Sequence, residues 1–191
     1  MTVEEHVVAR AVHVLDALGI PYMIAGSMAS TVHGLPRTTY DADIVIDPAP
    51  GVLARLVDQL SEAGFYVNLE AARRALSARR QFNAIDAANA FKVDLIIRKE
   101  RPFSRQELER RQRVQLGEAG LVALATAEDT VLSKLEWAKE GGRSERQLAD
   151  VRGILDLNGA ALDRVYIERW AKELGVLELW REVAGNPEPR T

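Results

Sequence analysis

The chain has 191 residues, 47% of them hydrophobic and 28% charged, with a formal charge of −3. That length fits one domain, or a domain with a helical annex, and the composition is that of a globular chain with ample material for a core. The absence of cysteine excludes disulfides, thiolate zinc sites and cysteine nucleophiles. No run approaches a membrane span and no charged-then-apolar leader opens the chain, so a cytoplasmic protein without membrane contact is expected. His6, His13 and His33 show no metal spacing and read as surface or cap residues.

The charge is unevenly spread. Between Arg73 and Arg113 twelve Lys/Arg stand against five Asp/Glu, a local balance of +7 that leaves −10 for the rest. Such a stretch points to a polyanionic partner, though a solvated helix face has the same composition.

Thr2-Val3-Glu4-Glu5 is a capping-box start, and Val7, Val8, Ala11, Val12, Leu15 and Leu18 follow at helical spacing. Gly19 closes that helix and Pro21 bars its continuation. A strand over Tyr22 to Ala25, a short helix over Ser27 to His33 and a loop at Gly34-Leu35-Pro36 come next. A second strand runs from Tyr40 to Ile46, and a helix from Gly51 to Ala63 follows two prolines. Phe65 to Val67 reads as a short strand and Leu69 to Ala78 as a helix. Phe82 to Ile85 and Phe91 to Ile97 form a hairpin around the turn 86–90.

A helix over Ser104 to Arg113 has a capping box in Ser104 and Glu107, and short strands at Val114 to Leu116 and Leu121 to Leu124 precede a change to helical composition. Thr126 caps a helix to Lys139, ended by Gly141-Gly142. Helices at Ser144 to Leu157, Leu162 to Leu174 and Leu177 to Val183 complete the pattern. The expected organisation is an α/β core over 1–125, a helical segment over 126–185 and a flexible tail at 186–191.

The chemistry concentrates in the stretch from Gly26 to Asp47. Gly26-Ser27 lies between a strand and a helix, where exposed backbone N–H groups can bind an anion. Asp41 and Asp43, two apart in a strand, project from one face. Two carboxylates held that close repel each other unless a cation sits between them, and magnesium takes such hard oxygen ligands while keeping positions for substrate phosphates. An Asp-x-Asp at a strand mouth is also what a turn or a solvated edge looks like. A third carboxylate, Asp94, lies in the apolar run FKVDLII, where burial without a partner is costly. It reads as a structural ion pair, a third metal ligand, or a general base for the same site.

The ordered set Gly26-Ser27, Arg37-Thr38-Thr39-Tyr40-Asp41-Ala42-Asp43, Asp94 in VDLII, Glu128-Asp129 with Lys134, and Asp150 resembles the polymerase-β-type nucleotidyltransferases. Within them it is similar to bacterial proteins related to the abortive-infection toxins of toxin–antitoxin systems, over about Tyr22 to Leu157. The resemblance implies an α/β nucleotidyltransferase core with a mixed sheet and a C-terminal helical segment. It implies that Asp41, Asp43 and Asp94 hold two magnesium ions (or manganese), with Asp94 also helping to remove the proton of the attacking hydroxyl. Gly26 and Ser27 would hold the triphosphate of an NTP, and Lys134 would reach it from the helical part. Arg37 is often shared by relatives. Asp150 is either a catalytic helper or a helix-packing carboxylate, which Arg146 and Arg152 could pair at helical spacing.

The implied reaction moves a nucleoside monophosphate from an NTP to a hydroxyl on an RNA end such as tRNA, a protein, or a small molecule such as an aminoglycoside. The basic stretch favours RNA or protein, and an antitoxin partner would follow from the toxin relationship. A catalytically inactive binding or partner protein on the same fold and a metal-dependent phosphohydrolase are the rival readings. Lys134, on the flank of the stripe Val131, Leu132, Leu135 and Ala138, either keeps its ammonium in water or lays it on a phosphate. Under the second reading, Lys134→Ala should weaken NTP binding while barely altering thermal stability.

Overall fold

The computed structural model describes residues 2–36, 39, 41–117 and 120–185. The described chain divides into two units, Met1–Met28 with Thr38–Ala125, and Ala29–Arg37 with Thr126–Thr191. The second boundary falls where the composition turns helical, but residues 29–37, read from the sequence as part of the core, group with the helices.

The first unit is built on one mixed sheet of seven strands: β1 (Tyr22–Ile24), β2 (Asp41–Ile46), β3 (Phe65–Val67), β4 (Gln81–Asp86), β5 (Lys92–Ile97), β6 (Gln112–Gln115) and β7 (Leu121–Leu124). They lie in the order β3-β4-β5-β2-β1-β7-β6. The β4/β5 and β6/β7 pairs are antiparallel hairpins, β1 runs antiparallel to β2, and β2/β5 and β1/β7 are parallel. The helices of this unit are α1 (Val3–Ala17), α3 (Leu53–Glu62), α4 (Leu69–Ala78) and α5 (Pro102–Arg110). Helix α2 (Gly26–His33) starts here and ends in the second unit.

The parallel pair β2/β5 explains the sequence pattern at the centre of the sheet. Ala42, Ile44 and Ile46 stand beside Val93, Leu95 and Ile97, and all six are fully buried. With a period of two, Asp41, Asp43, Lys92 and Asp94 must project from the opposite face. The apolar neighbours of Asp94 in the sequence therefore face away from it.

Helix α1 carries the anticipated capping box, with Glu5 N–H donating to Thr2 Oγ1 and Thr2 N–H to Glu5 Oε2. Its buried stripe packs on α3. Helix α5 departs from expectation. It begins at Pro102 after Arg101, because proline's fixed φ suits the first helical position. Ser104 is thus inside the helix, where its Oγ accepts a hydrogen bond from Arg101 Nε at 2.9 Å, and the anticipated Ser104 cap does not form. The helix ends three residues early, and β6 takes over at Gln112.

The second unit holds α6 (Ala127–Glu140), α7 (Glu145–Asn158), α8 (Arg164–Glu173) and α9 (Leu177–Ala184). Val131, Leu132, Leu135 and Ala138 of α6 are fully buried, and α6 packs on α7 and α8, with α9 against both. Thr126 caps α6 by accepting from Asp129 N–H, whereas α8 is capped by Asp163, not begun at Leu162. Residues after α2 lie against α7: a Cβ on Gly34 would stand 3.1 Å from Ile154 N, one on Gly153 would stand 3.4 Å from Leu35, and Asn158 donates to the His33 carbonyl. Among the described residues no helix is long and apolar enough to cross a membrane.

Within the first unit, Arg10 ties α1 to the β3/β4 edge. Its guanidinium donates to the Ala63 carbonyl at 2.8 Å, lies 5.0 Å from the centre of the Phe65 ring, and pairs with the buried carboxylate of Asp86. Burial pushes the Asp86 carboxyl up, but hydrogen bonds from Arg10 and from the side chain and backbone of Asn89 outweigh it and leave the pKa below its ordinary value. A lowered folded-state pKa means stability that is fully present above the unfolded value of about 4 and is lost as pH falls through the folded one. Asp86→Asn should therefore cost about 2 kcal/mol at neutral pH, by removing the partner of a desolvated cation and two acceptor bonds. In denaturation curves across pH, the gap between wild type and variant should hold above about pH 4 and narrow in more acidic solution.

Candidate functional site

The edge of the sheet where β1 ends and where β2 and β5 begin gathers the sequence-predicted residues of the first unit. The chain leaves β1 at Ile24, whose register partner is Ile44, and Ala25 N–H donates to the Asp43 carbonyl at 2.9 Å. Gly26 then starts α2, which opens without an acidic residue in its first turn. The backbone N–H groups of that turn are an anion cradle by position. Gly26 has φ +57°, and a Cβ there would fall 1.8 Å from Asp43 Oδ2. Only glycine lets the carboxylate and the helix start approach so closely. Ser27 is buried beside it.

Across β2 and β5 the register is Asp41 to Lys92 and Asp43 to Asp94. Four charged residues therefore form a two-by-two array on one face, three carboxylates and one ammonium. Asp94 is 5% exposed, while the side chains of Asp41 and Lys92 are about half open. Lys92 Nζ donates to Asp94 Oδ2 at 2.8 Å and lies 3.9 Å from Asp41 Oδ2. Its hydrogen bond to Asp94 raises the lysine pKa more than burial lowers it, and the charges of Asp94, Asp41 and Asp43 add to the rise. The cation that a pair of neighbouring aspartates requires is thus supplied by the chain itself. Sequence reasoning passed over Lys92. Its signal was present, since residues 92 and 94 share a face in any strand.

The other oxygen of Asp94, Oδ1, is buried with no hydrogen-bond partner among the described residues. An orphaned carboxylate oxygen is costly, and a hard cation is a fitting partner. Among the described residues no three His, Cys, Asp or Glu side chains stand gathered as a finished metal cage. A magnesium ion does not need one. It binds through one or two carboxylates, waters and substrate phosphates, and the all-oxygen donor set of Asp41, Asp43 and Asp94 suits it. Arg37, also predicted to belong here, lies outside the described residues.

Lys134 and Asp150 are placed in the second unit, where Lys134 Nζ donates to Asp150 Oδ2 at 2.7 Å and Ser30 Oγ stands 3.4 Å from the same oxygen. Both side chains are under 10% exposed. Two expectations change. The Lys134 ammonium does not reach into water, because the helix packing buries it with the stripe it flanks. The partner shown for Asp150 is Lys134, from the neighbouring helix, while Arg152 pairs with Glu145 along α7. The basic stretch is likewise less bare than its count suggests: Arg79, Arg98 and Arg105 converge on Glu100, and Arg79 and Arg98 also pair with Asp47.

No protein-family model matches the chain, and no curated protein matches it in sequence. Solved structures do match its fold. The solution structure of the antibiotic-resistance factor ANT(2'')-Ia is similar with a TM-score of 0.60 and 14% identity, covering 94% of this chain and 97% of that one. A crystal structure of ANT(2'')-Ia in complex with adenylyl-2''-tobramycin has a TM-score of 0.55 and 12% identity, over 95% and 98%. An antigenic nucleotidyltransferase-like protein from Paracoccidioides brasiliensis has a TM-score of 0.61 and 16% identity, over 98% and 91%. The fold is that of the nucleotidyltransferases.

Three substitutions test the geometry. Gly26→Ala should destabilise the protein by about 2 kcal/mol or more, combining a left-handed backbone with a direct clash. Adding Asp43→Ala, which removes the two nearest clashing atoms, should recover part of that loss in a thermal-melt double-mutant cycle. Lys134→Ala, contrary to the sequence expectation, should cost about 3 kcal/mol in chemical denaturation, because it removes a buried charge partner of the Asp150 carboxylate.

Proposed function

We propose that this protein is a metal-dependent nucleotidyltransferase, which moves a nucleoside monophosphate from an NTP to a hydroxyl acceptor. The observation that carries the reading is the register of Asp43 with Asp94 beside the start of α2. It sets a pair of carboxylates next to an anion cradle, as a magnesium–triphosphate substrate requires.

In this reading Asp41 and Asp43 hold magnesium, and Asp94 serves both metal and acceptor. The bound ions would supply charge neutralisation at the transferring phosphoryl group and align the attacking and leaving oxygens. The chain's own groups do the rest. Backbone N–H groups at Gly26 and Ser27 bind phosphate oxygens and orient the triphosphate. Asp94 accepts the proton of the acceptor hydroxyl as its oxygen bonds to the α-phosphorus. The bond from that phosphorus to the β-phosphate bridging oxygen breaks, and pyrophosphate leaves. The face is half open at Asp41 and Lys92, which gives the acceptor an approach.

The acceptor in this proposal is an RNA end or a protein side chain, within a toxin–antitoxin pair. The sequence resemblance and the remaining positive charge of the basic stretch support that choice. The tobramycin adduct of a fold neighbour keeps a small-molecule hydroxyl as the alternative outcome.

The test is incubation with each α-labelled NTP, magnesium and cell extract, followed by separation of RNA, protein and small molecules. Label should enter one fraction in a magnesium-dependent way, and Asp43→Asn should reduce the rate about 100-fold or more while keeping the fold. Release of label as free nucleotide without an adduct would show a phosphohydrolase. No turnover together with no NTP binding would show a partner module.

A further inference from the structure

Lys92 has no role in the reaction as proposed, yet it stands at the centre of the acidic array. We propose that its ammonium is the built-in counter-ion of the metal-free site, and that a divalent cation displaces it on binding. This rests on the metal-dependent reading above and adds a regulation of the same site: cation exchange between a lysine of the chain and the metal.

Three observations carry it. Lys92 Nζ contacts both Asp94 Oδ2, at 2.8 Å, and Asp41 Oδ2, at 3.9 Å, so it stands where one cation serves two strands. The register pairs Asp41 with Lys92 and Asp43 with Asp94, so without the ammonium three carboxylates would share one face with no positive charge on it from β2 or β5. Finally, the lysine satisfies Asp94 only in part, since Oδ1 is buried with no hydrogen-bond partner among the described residues.

The same geometry makes the lysine a placeholder and not a permanent partner. Its side chain is 36% exposed, so the ammonium end of the pair has a path to water although Asp94 is buried. A lysine stem of four carbons with a strongly hydrated head can swing into solvent with its charge intact. A divalent ion brings twice the charge and reaches several oxygens at once, including those the ammonium leaves unserved. The lysine then sets a threshold. It keeps the aspartates from repelling each other when metal is scarce, and lowers the affinity of the site by competing for it.

Manganese titration followed by electron paramagnetic resonance reads this directly, without turnover. Lys92→Met should bind Mn²⁺ about tenfold more tightly than wild type, since removing a charge a few ångströms from the ion is worth at least that much. Lys92→Arg, which keeps the charge, should bind no more tightly than wild type. Metal-free Lys92→Met should also melt below wild type and gain more on adding manganese. Lys92→Gln replaces it should Lys92→Met not fold. Equal or weaker Mn²⁺ binding by the uncharged variant, with wild type binding normally, overturns the exchange and leaves the metal reading standing. No binding by either protein, or binding that Asp43→Asn leaves unchanged, overturns the metal site and the exchange together.

Discussion

The in-register parallel pairing of β2 with β5 is the constraint on which the rest of the first unit depends. Six pairs of residues lie side by side, from Asp41 with Lys92 to Ile46 with Ile97. A shift of β5 by one residue would turn Val93, Leu95 and Ile97 out of the core and drive Lys92 and Asp94 into it. Hydrophobic burial on one face therefore enforces the charged array on the other. The packing that stabilises the sheet and the geometry that could hold a substrate are consequences of one register.

The two buried or half-buried lysine–aspartate pairs answer different problems. Lys134 and Asp150 are closed off within the helical unit, where each charge would be costly alone. Such a pair fixes the register of α6 on α7 whatever else it does. Lys92 and Asp94 lie at an open sheet edge, with one oxygen of the aspartate left over. The first pair is buried at both ends, and the second is open to water at its lysine.

Charge counts along the chain misjudge the surface when pairs form across elements. The window from Arg73 to Arg113 carries +7 in sequence, but Asp47, outside it, takes Arg79 and Arg98, and Asp16 takes Arg113. Asp86, an acid of that window, works the other way, since its burial draws in Arg10 from the first helix. What remains positive is smaller than the composition indicates, and local density of basic residues becomes partly an internal matter.

The sequence by itself determined the alternation of β2 and β5, the glycine between β1 and α2, and most helices, because strand and helix periods and caps are local properties of neighbouring residues. Asp41, Asp43 and Asp94 were legible as candidates for the same reason: each is a charge at a position of fixed parity in an apolar strand. The structure brought them to one face and revealed Lys92 among them. Only the tertiary structure decided that residues 29–36 group with the helical unit, that Pro102 and not Ser104 starts α5, and that Lys134 is buried against Asp150. Those outcomes turn on contacts between segments far apart in the chain. Whether a flank lysine ends in water or in an ion pair depends on which helix covers it, and no local pattern records that.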